Sequence, residues 1–169
     1  MMKKTLILIS LVTSFGSYAS GLHLSPEIKM GPYVGSGISG GGLQLGITDV
    51  LGLDAIYASY THTSADILTD KDRLKTYRIG AQYSLPQAPM LGFQLELGGV
   101  EYQGSRDYIF SPRQYREGSG VSLAGAWVLQ INDNLGLRAG IDINYIDKNK
   151  SYLSSDFSTT FSTGITLRF

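Results

Sequence analysis

Cysteine is absent from the 169 residues, and histidine occurs only at His23 and His62. Without thiols there is no disulfide framework and no thiolate metal site, and two imidazoles are too few for a His-rich metal cage. Charge is scarce as well: 17% of residues are charged, 14 Lys and Arg balance 14 Asp and Glu, and the formal net charge is zero. A nucleic-acid footprint needs clustered cations that displace counterions, so that class is excluded. Long apolar runs are missing too. After Ser20 every run is broken within a few residues by Gly, Asp, Gln or Ser, which excludes a membrane-spanning helix of ~20 residues. What abounds is glycine, with 21 residues. Glycine is poorly tolerated inside helices, so the composition points to β structure.

At the N-terminus, Lys3 and Lys4 precede a short apolar stretch, residues 5–15, followed by Gly16-Ser17-Tyr18-Ala19-Ser20. A positive start, a short apolar core and a small-x-small ending read as a secretory signal peptide cleaved after Ala19. Residues 1–19 are therefore expected to be removed, leaving residues 20–169 as one domain. An exported chain without cysteine suits the envelope of a bacterium.

Beyond the leader, apolar residues recur at a period of two. Phe157, Thr159, Phe161, Thr163, Ile165, Leu167 and Phe169 share one face of a strand, with Ser158, Thr160, Ser162, Gly164, Thr166 and Arg168 on the other. The same pattern runs through Tyr77–Leu85, Phe93–Leu97, Val121–Leu129 and Leu135–Tyr145. Leu43–Ile47, Leu53–Tyr60 and Ile28–Val34 complete eight candidate strands, blurred by Gly and Pro. Connections alternate. Those at 49–52, 86–91 and 132–134 are short and rich in turn formers, whereas 63–76, 103–119 and 147–156 are long, with the Gly-rich 36–42 as a fourth. This order predicts an all-β fold, an eight-stranded antiparallel up-and-down transmembrane β-barrel. A soluble barrel would show water a face rich in Lys, Glu and Asp. Here the polar face is mostly Gly, Ser, Thr, Ala and Gln, as suits a barrel interior, and the apolar face is almost free of charge.

The leader, the eight alternating segments and the ending Ile165-Thr166-Leu167-Arg168-Phe169 resemble the small eight-stranded outer-membrane barrels of Gram-negative bacteria: the OmpA transmembrane domain, OmpX/Ail-type proteins and accessory colonization factor A-like barrels. The resemblance implies a monomer in the outer membrane, both termini periplasmic. It implies outer-membrane lipid and lipopolysaccharide as surroundings, and Phe169 as the signal read by the barrel-assembly machinery. No cofactor is expected.

Three groups of residues could carry function. Asp54, Arg78, Glu96, Arg138, Asp142 and Arg168 alternate with the apolar face and are expected inside the barrel. An eight-stranded lumen is only wide enough for side chains, so a salt-bridge plug is expected there and not a pore. Arg106, Tyr108, Phe110, Arg113, Tyr115 and Arg116 lie in the long 103–119 segment. Their cation and aromatic composition suits binding of a host-surface ligand or of lipopolysaccharide phosphate. Finally, His62 and Ser64 are raw material for nucleophilic catalysis. They resemble the His-x-Ser element of outer-membrane lipid A deacylases, which there lies later in the chain. The expected function is non-enzymatic action through surface loops, in adhesion, colonization or envelope integrity. The alternative is a lipid A-modifying enzyme using His62 and Ser64.

Overall fold

A computed structural model describes residues 21–32, 37–67, 70–108 and 111–169. The expected signal peptide at 1–19 lies outside them. The described residues form eight strands: β1 (Leu22–Met30), β2 (Ile38–Val50), β3 (Leu53–Ile67), β4 (Asp70–Leu85), β5 (Ala88–Tyr108), β6 (Ser111–Gln130), β7 (Leu135–Ile146) and β8 (Phe157–Arg168). Each pairs antiparallel with its sequence neighbours, and β8 returns to β1, closing the barrel. Closure leaves no unpaired sheet edge, the condition a sheet must meet to cross a bilayer.

Period-two alternation sorts the side chains between two environments. Outward, Leu43, Leu45, Ile79, Leu95, Leu97, Leu123, Ile141 and Phe161 are exposed in one uncharged belt. Aromatic contacts mark its upper edge, where Tyr60 meets Tyr77 with ring centroids 5.3 Å apart and Tyr145 meets Phe157 at 5.4 Å. Phe93 and Trp127 make an edge contact at 5.4 Å lower down. Inward, the buried residues are chiefly polar: Ser25, Gln44, Ser59, Gln82, Gln94, Ser122, Asn144 and Ser162 among them. This is the inverse of a soluble core. Gly80 shows how the narrow interior fills, because a Cβ there would meet both Tyr57 Cε2 and Glu96 Cγ at 2.7 Å.

At one end the turns are tight. Leu51 and Gly52 both have positive φ (57° and 77°) between the paired Val50 and Leu53, the geometry that suits the twist of a two-residue hairpin. At the other end two expected loops are instead paired strand. The β3–β4 ladder continues to Ile67↔Asp70 and the β5–β6 ladder to Tyr108↔Ser111, so 63–76 and 103–119 rise as β-hairpins above the belt. The first strand also differs from the expected Ile28–Val34: it runs over Leu22–Met30, Gly31 and Pro32 are not strand, and 33–34 lie outside the described residues. Pro26 has no N–H to give a ladder. The paired positions between β1 and β8 skip Ser25 and Pro26, where the Ser25 hydroxyl donates to the Ile165 carbonyl at 2.7 Å instead.

Candidate functional site: a sealed lumen and a raised crown

Three cations and three carboxylates meet inside the barrel in a closed ring. Lys29 Nζ pairs with Glu27 at 2.9 Å and with Asp142 at 2.6 Å, and Asp142 takes Arg78 at 3.0 Å. Arg78 Nε reaches Glu96 at 2.8 Å, Glu96 takes Arg138 at 3.1 Å, and Arg138 returns to Glu27. The six are buried and their formal charges cancel. Neutral hydrogen bonds surround the ring: Gln44 Nε2 and Ser59 Oγ donate to Glu96 at 2.6 and 2.7 Å, and Arg138 Nε donates to Gln94 Oε1 at 2.6 Å. Charges taken out of water cost several kcal/mol each unless paired and further hydrogen-bonded; every ring member is paired, while Asp142 Oδ1 and Arg78 Nη2 make no hydrogen bond. Since β1, β4, β5 and β7 each contribute, the ring also ties distant staves of the barrel together.

Of the charges expected inside, Arg78, Glu96, Arg138 and Asp142 are ring members. Asp54 and Arg168 are not: they face each other at 3.8 Å at the short-turn rim, each about a fifth exposed (23% and 20%). Both sit where their strands run out, too near the mouth to be fully enclosed. Glu27 and Lys29 escaped the sequence reading because Pro26 hides the alternation of β1. The signal was nonetheless there, as Leu22, Leu24, Ile28 and Met30 fall on one face and His23, Ser25, Glu27 and Lys29 on the other.

Above the ring, Leu74, Val100, Tyr102, Ile146 and Leu153 form a small apolar plug. The Tyr102 hydroxyl donates to Asp72 and accepts from the backbone N–H of Tyr152 at 3.0 Å, pinning the β7–β8 connection across the mouth. Tyr102 lies beyond the belt, whose last apolar outward residue on β5 is Leu97. Burial, reinforced by its bond to Asp72, pushes the Tyr102 phenol up, so it stays a neutral donor.

The candidate binding residues divide. Arg106 and Arg116 were expected to be displayed outward, but they share the inward parity of Tyr102 and turn onto the Tyr152 ring, 4.6 and 4.5 Å from its centroid. Arg106 also pairs with Asp72 at 2.8 Å and Asp70 at 3.4 Å, and Arg116 donates to the Ser151 carbonyl at 2.6 Å. They are clamps on the cap. Arg113 and Tyr115 occupy the opposite parity and are exposed. Tyr108 ends β5 opposite Ser111, and Phe110 lies outside the described residues. His62 and Ser64 share the outward face of β3. The Ser64 hydroxyl donates to Asp66 at 3.3 Å, while His62 Nδ1 makes no hydrogen bond. Among the described residues no group of three or more His, Cys, Asp or Glu is placed to hold a metal. Phe169 and Leu22 exchange backbone hydrogen bonds of 3.1 and 2.9 Å, closing the β1–β8 seam.

A closed eight-stranded meander with an apolar exterior and a charged, filled interior is the architecture of the small outer-membrane β-barrels. Solved structures agree. The barrel matches Ail, the attachment invasion locus protein of Yersinia pestis, with a TM-score of 0.65 at 12% identity, covering 89% of this chain and 97% of that one. It matches the N-terminal barrel domain of Pseudomonas aeruginosa OprF at 0.57 and 10% identity, over 88% and 97%. It also matches a major outer membrane protein of Thermus thermophilus at 0.60 and 14% identity, over 90% and 100%. No family model matches the chain, and no curated protein matches it in sequence.

Proposed function

We propose that this chain is a monomeric integral protein of the outer membrane, exported by its N-terminal leader, that acts without catalysis through the β3–β4 and β5–β6 hairpins. Both termini and the short turns face the periplasm, and the hairpins face outward. The process served is adhesion, colonization or envelope integrity, with a host-surface ligand or lipopolysaccharide in contact with the crown.

The observation that carries this reading is the division of labour in the barrel. The lumen is committed to a neutral ion-pair ring and an apolar plug, which leaves no solute path. The hairpins extend well past the belt and expose Arg113 and Tyr115, side-chain types common at binding hot spots. A structural neighbour that is by its name an attachment protein supports the reading.

The test compares cells with the wild-type protein, cells with a variant whose residues 104–116 are replaced by a two-residue Asn-Gly turn, and cells with none. Adherence to fixed host cells and survival in detergent are measured alongside membrane fractionation. The expected result is outer-membrane recovery of both proteins, with the trimmed variant behaving like the null strain. A phenotype fully retained by the trimmed variant, or a wild-type protein soluble in the periplasm, would overturn the proposal. Mass spectra of lipid A from wild-type, His62→Ala and null cells are expected to be identical. An acyl chain lost only when His62 is present would establish the lipid A-modifying alternative.

A further inference from the structure

Two hollows mark the outer wall, a lower one on β2–β5 and an upper one on β4–β6. The lower, about 600 Å³, is inside the apolar belt. Ala58 leaves its floor open, Leu43, Ile79 and Leu97 wall it, and the Tyr60–Tyr77 pair closes its upper edge. Above that edge the outward residues of β4 are Lys75, Arg73 and Lys71, three cations at successive outward positions. The register sets His62 and Glu101 beside Lys75, and Ser64 and Gln103 beside Arg73. Lys71 pairs with Asp66 at 3.3 Å, whereas Arg73 and Lys75 have no ion-pair partner among the described residues. The upper hollow, about 360 Å³, runs from Lys71 and Arg73 to Arg113, Tyr115 and Glu117.

Each pair of residues along a strand advances about 7 Å, so Lys75 and Arg73 stand roughly 7 and 14 Å above Tyr77 along β4. The headgroup layer is about 5–8 Å thick on each side, and strand tilt shortens these rises to about 5 and 11 Å, so Lys75 falls within that layer and Arg73 at its outer edge. Cations there favour anions, and unpaired ones pay no cost of breaking a bridge before binding. Asp66, Glu101 and Glu117 moderate the patch, but Lys71, Arg73, Lys75 and Arg113 outnumber them.

We propose that this wall binds one phosphorylated, acylated lipid of the outer leaflet, with an acyl chain in the hollow over Ala58 and its phosphate on Arg73 and Lys75. The apolar hollow commits the occupant to a lipid and not to a soluble phosphate. The inference rests on the orientation proposed above, in which the hairpins face outward.

The test is native mass spectrometry of the purified full protein in detergent, titrated with bisphosphorylated lipid A and with the same lipid stripped of phosphate. Phosphorylated lipid should bind at least about tenfold tighter, equivalent to ~1.4 kcal/mol. Arg73→Gln/Lys75→Gln should erase that preference while leaving the stripped lipid unaffected, and Ala58→Phe should weaken both. These side chains are outside the lumen, and retention of the folded, heat-modifiable gel band checks each variant. Equal binding of the two lipids by wild type, a preference that survives the double variant, or an Ala58→Phe variant that binds normally would each overturn the site. The wild-type comparison needs no variant to fold. Lipid binding with no adherence or detergent phenotype would leave this site standing and remove the crown's proposed role; the reverse pattern would do the opposite.

Discussion

Arg138 reaches four acceptors in the lumen: Glu27, Glu96, Gln94 and Ser162, the last at 2.9 Å. Its removal would leave three buried carboxylates, Glu27, Glu96 and Asp142, sharing two cations, Lys29 and Arg78. Arg138→Met should therefore destabilise the barrel by about 3–5 kcal/mol, seen as a lowered urea midpoint in detergent, and adding Glu27→Gln should recover part of the loss. An unchanged midpoint would mean the ring is not a stabilising unit. Tyr102 is the corresponding residue of the cap. Tyr102→Phe removes one hydrogen bond to Asp72 and one from Tyr152, so proteolysis of the 147–156 connection should quicken by the equivalent of about 1–3 kcal/mol. Because the folded phenol titrates above its unfolded value of about 10, its contribution is complete below that pH and is lost only as pH rises through the raised folded value. Cap protection that fell between pH 7 and 9 in wild type but not in Tyr102→Phe would contradict this.

Among the elements, the β5–β6 hairpin and the closing strand β8 give the sharpest expectations. Trimming residues 104–116 to a two-residue turn should leave a folded barrel, because the belt and the ring lie below the Gln103↔Glu117 pair. Loss of the heat-modifiable band would show that the crown is needed for folding. Deleting Phe169 removes both backbone bonds to Leu22, and with them the last clasp of the β1–β8 seam. Export should continue while barrel levels in the outer membrane fall; normal levels would deny Phe169 any part in assembly. The strands that cross the belt were legible in the sequence because alternation has a physical cause there, with hydrocarbon on one side and a packed lumen on the other. Above the belt both faces meet water or the cap, so hydrophobic alternation stops although pairing does not. That is why Thr63–Thr76 and Gln103–Ser119 read as loops. The inward turn of Arg106 and Arg116 was equally hidden, since it depends on Tyr152, contributed by the β7–β8 connection.

At the scale of the whole molecule, the barrel inverts the usual plan of a folded domain: the apolar surface is outside and the polar groups are inside. Stability then depends on pairing the buried charges, and the closed ring from Lys29 through Asp142, Arg78, Glu96, Arg138 and Glu27 does so with no net charge. The same ring, with the Leu74, Val100, Tyr102, Ile146 and Leu153 plug above it, blocks the lumen at two levels. A barrel sealed in this way supports the proposal that it acts at its outer surface. The most direct test is single-channel recording of the purified wild-type protein in planar bilayers. We expect no stable conductance at either polarity; reproducible, large unitary steps would contradict a sealed lumen and the surface-acting role derived from it.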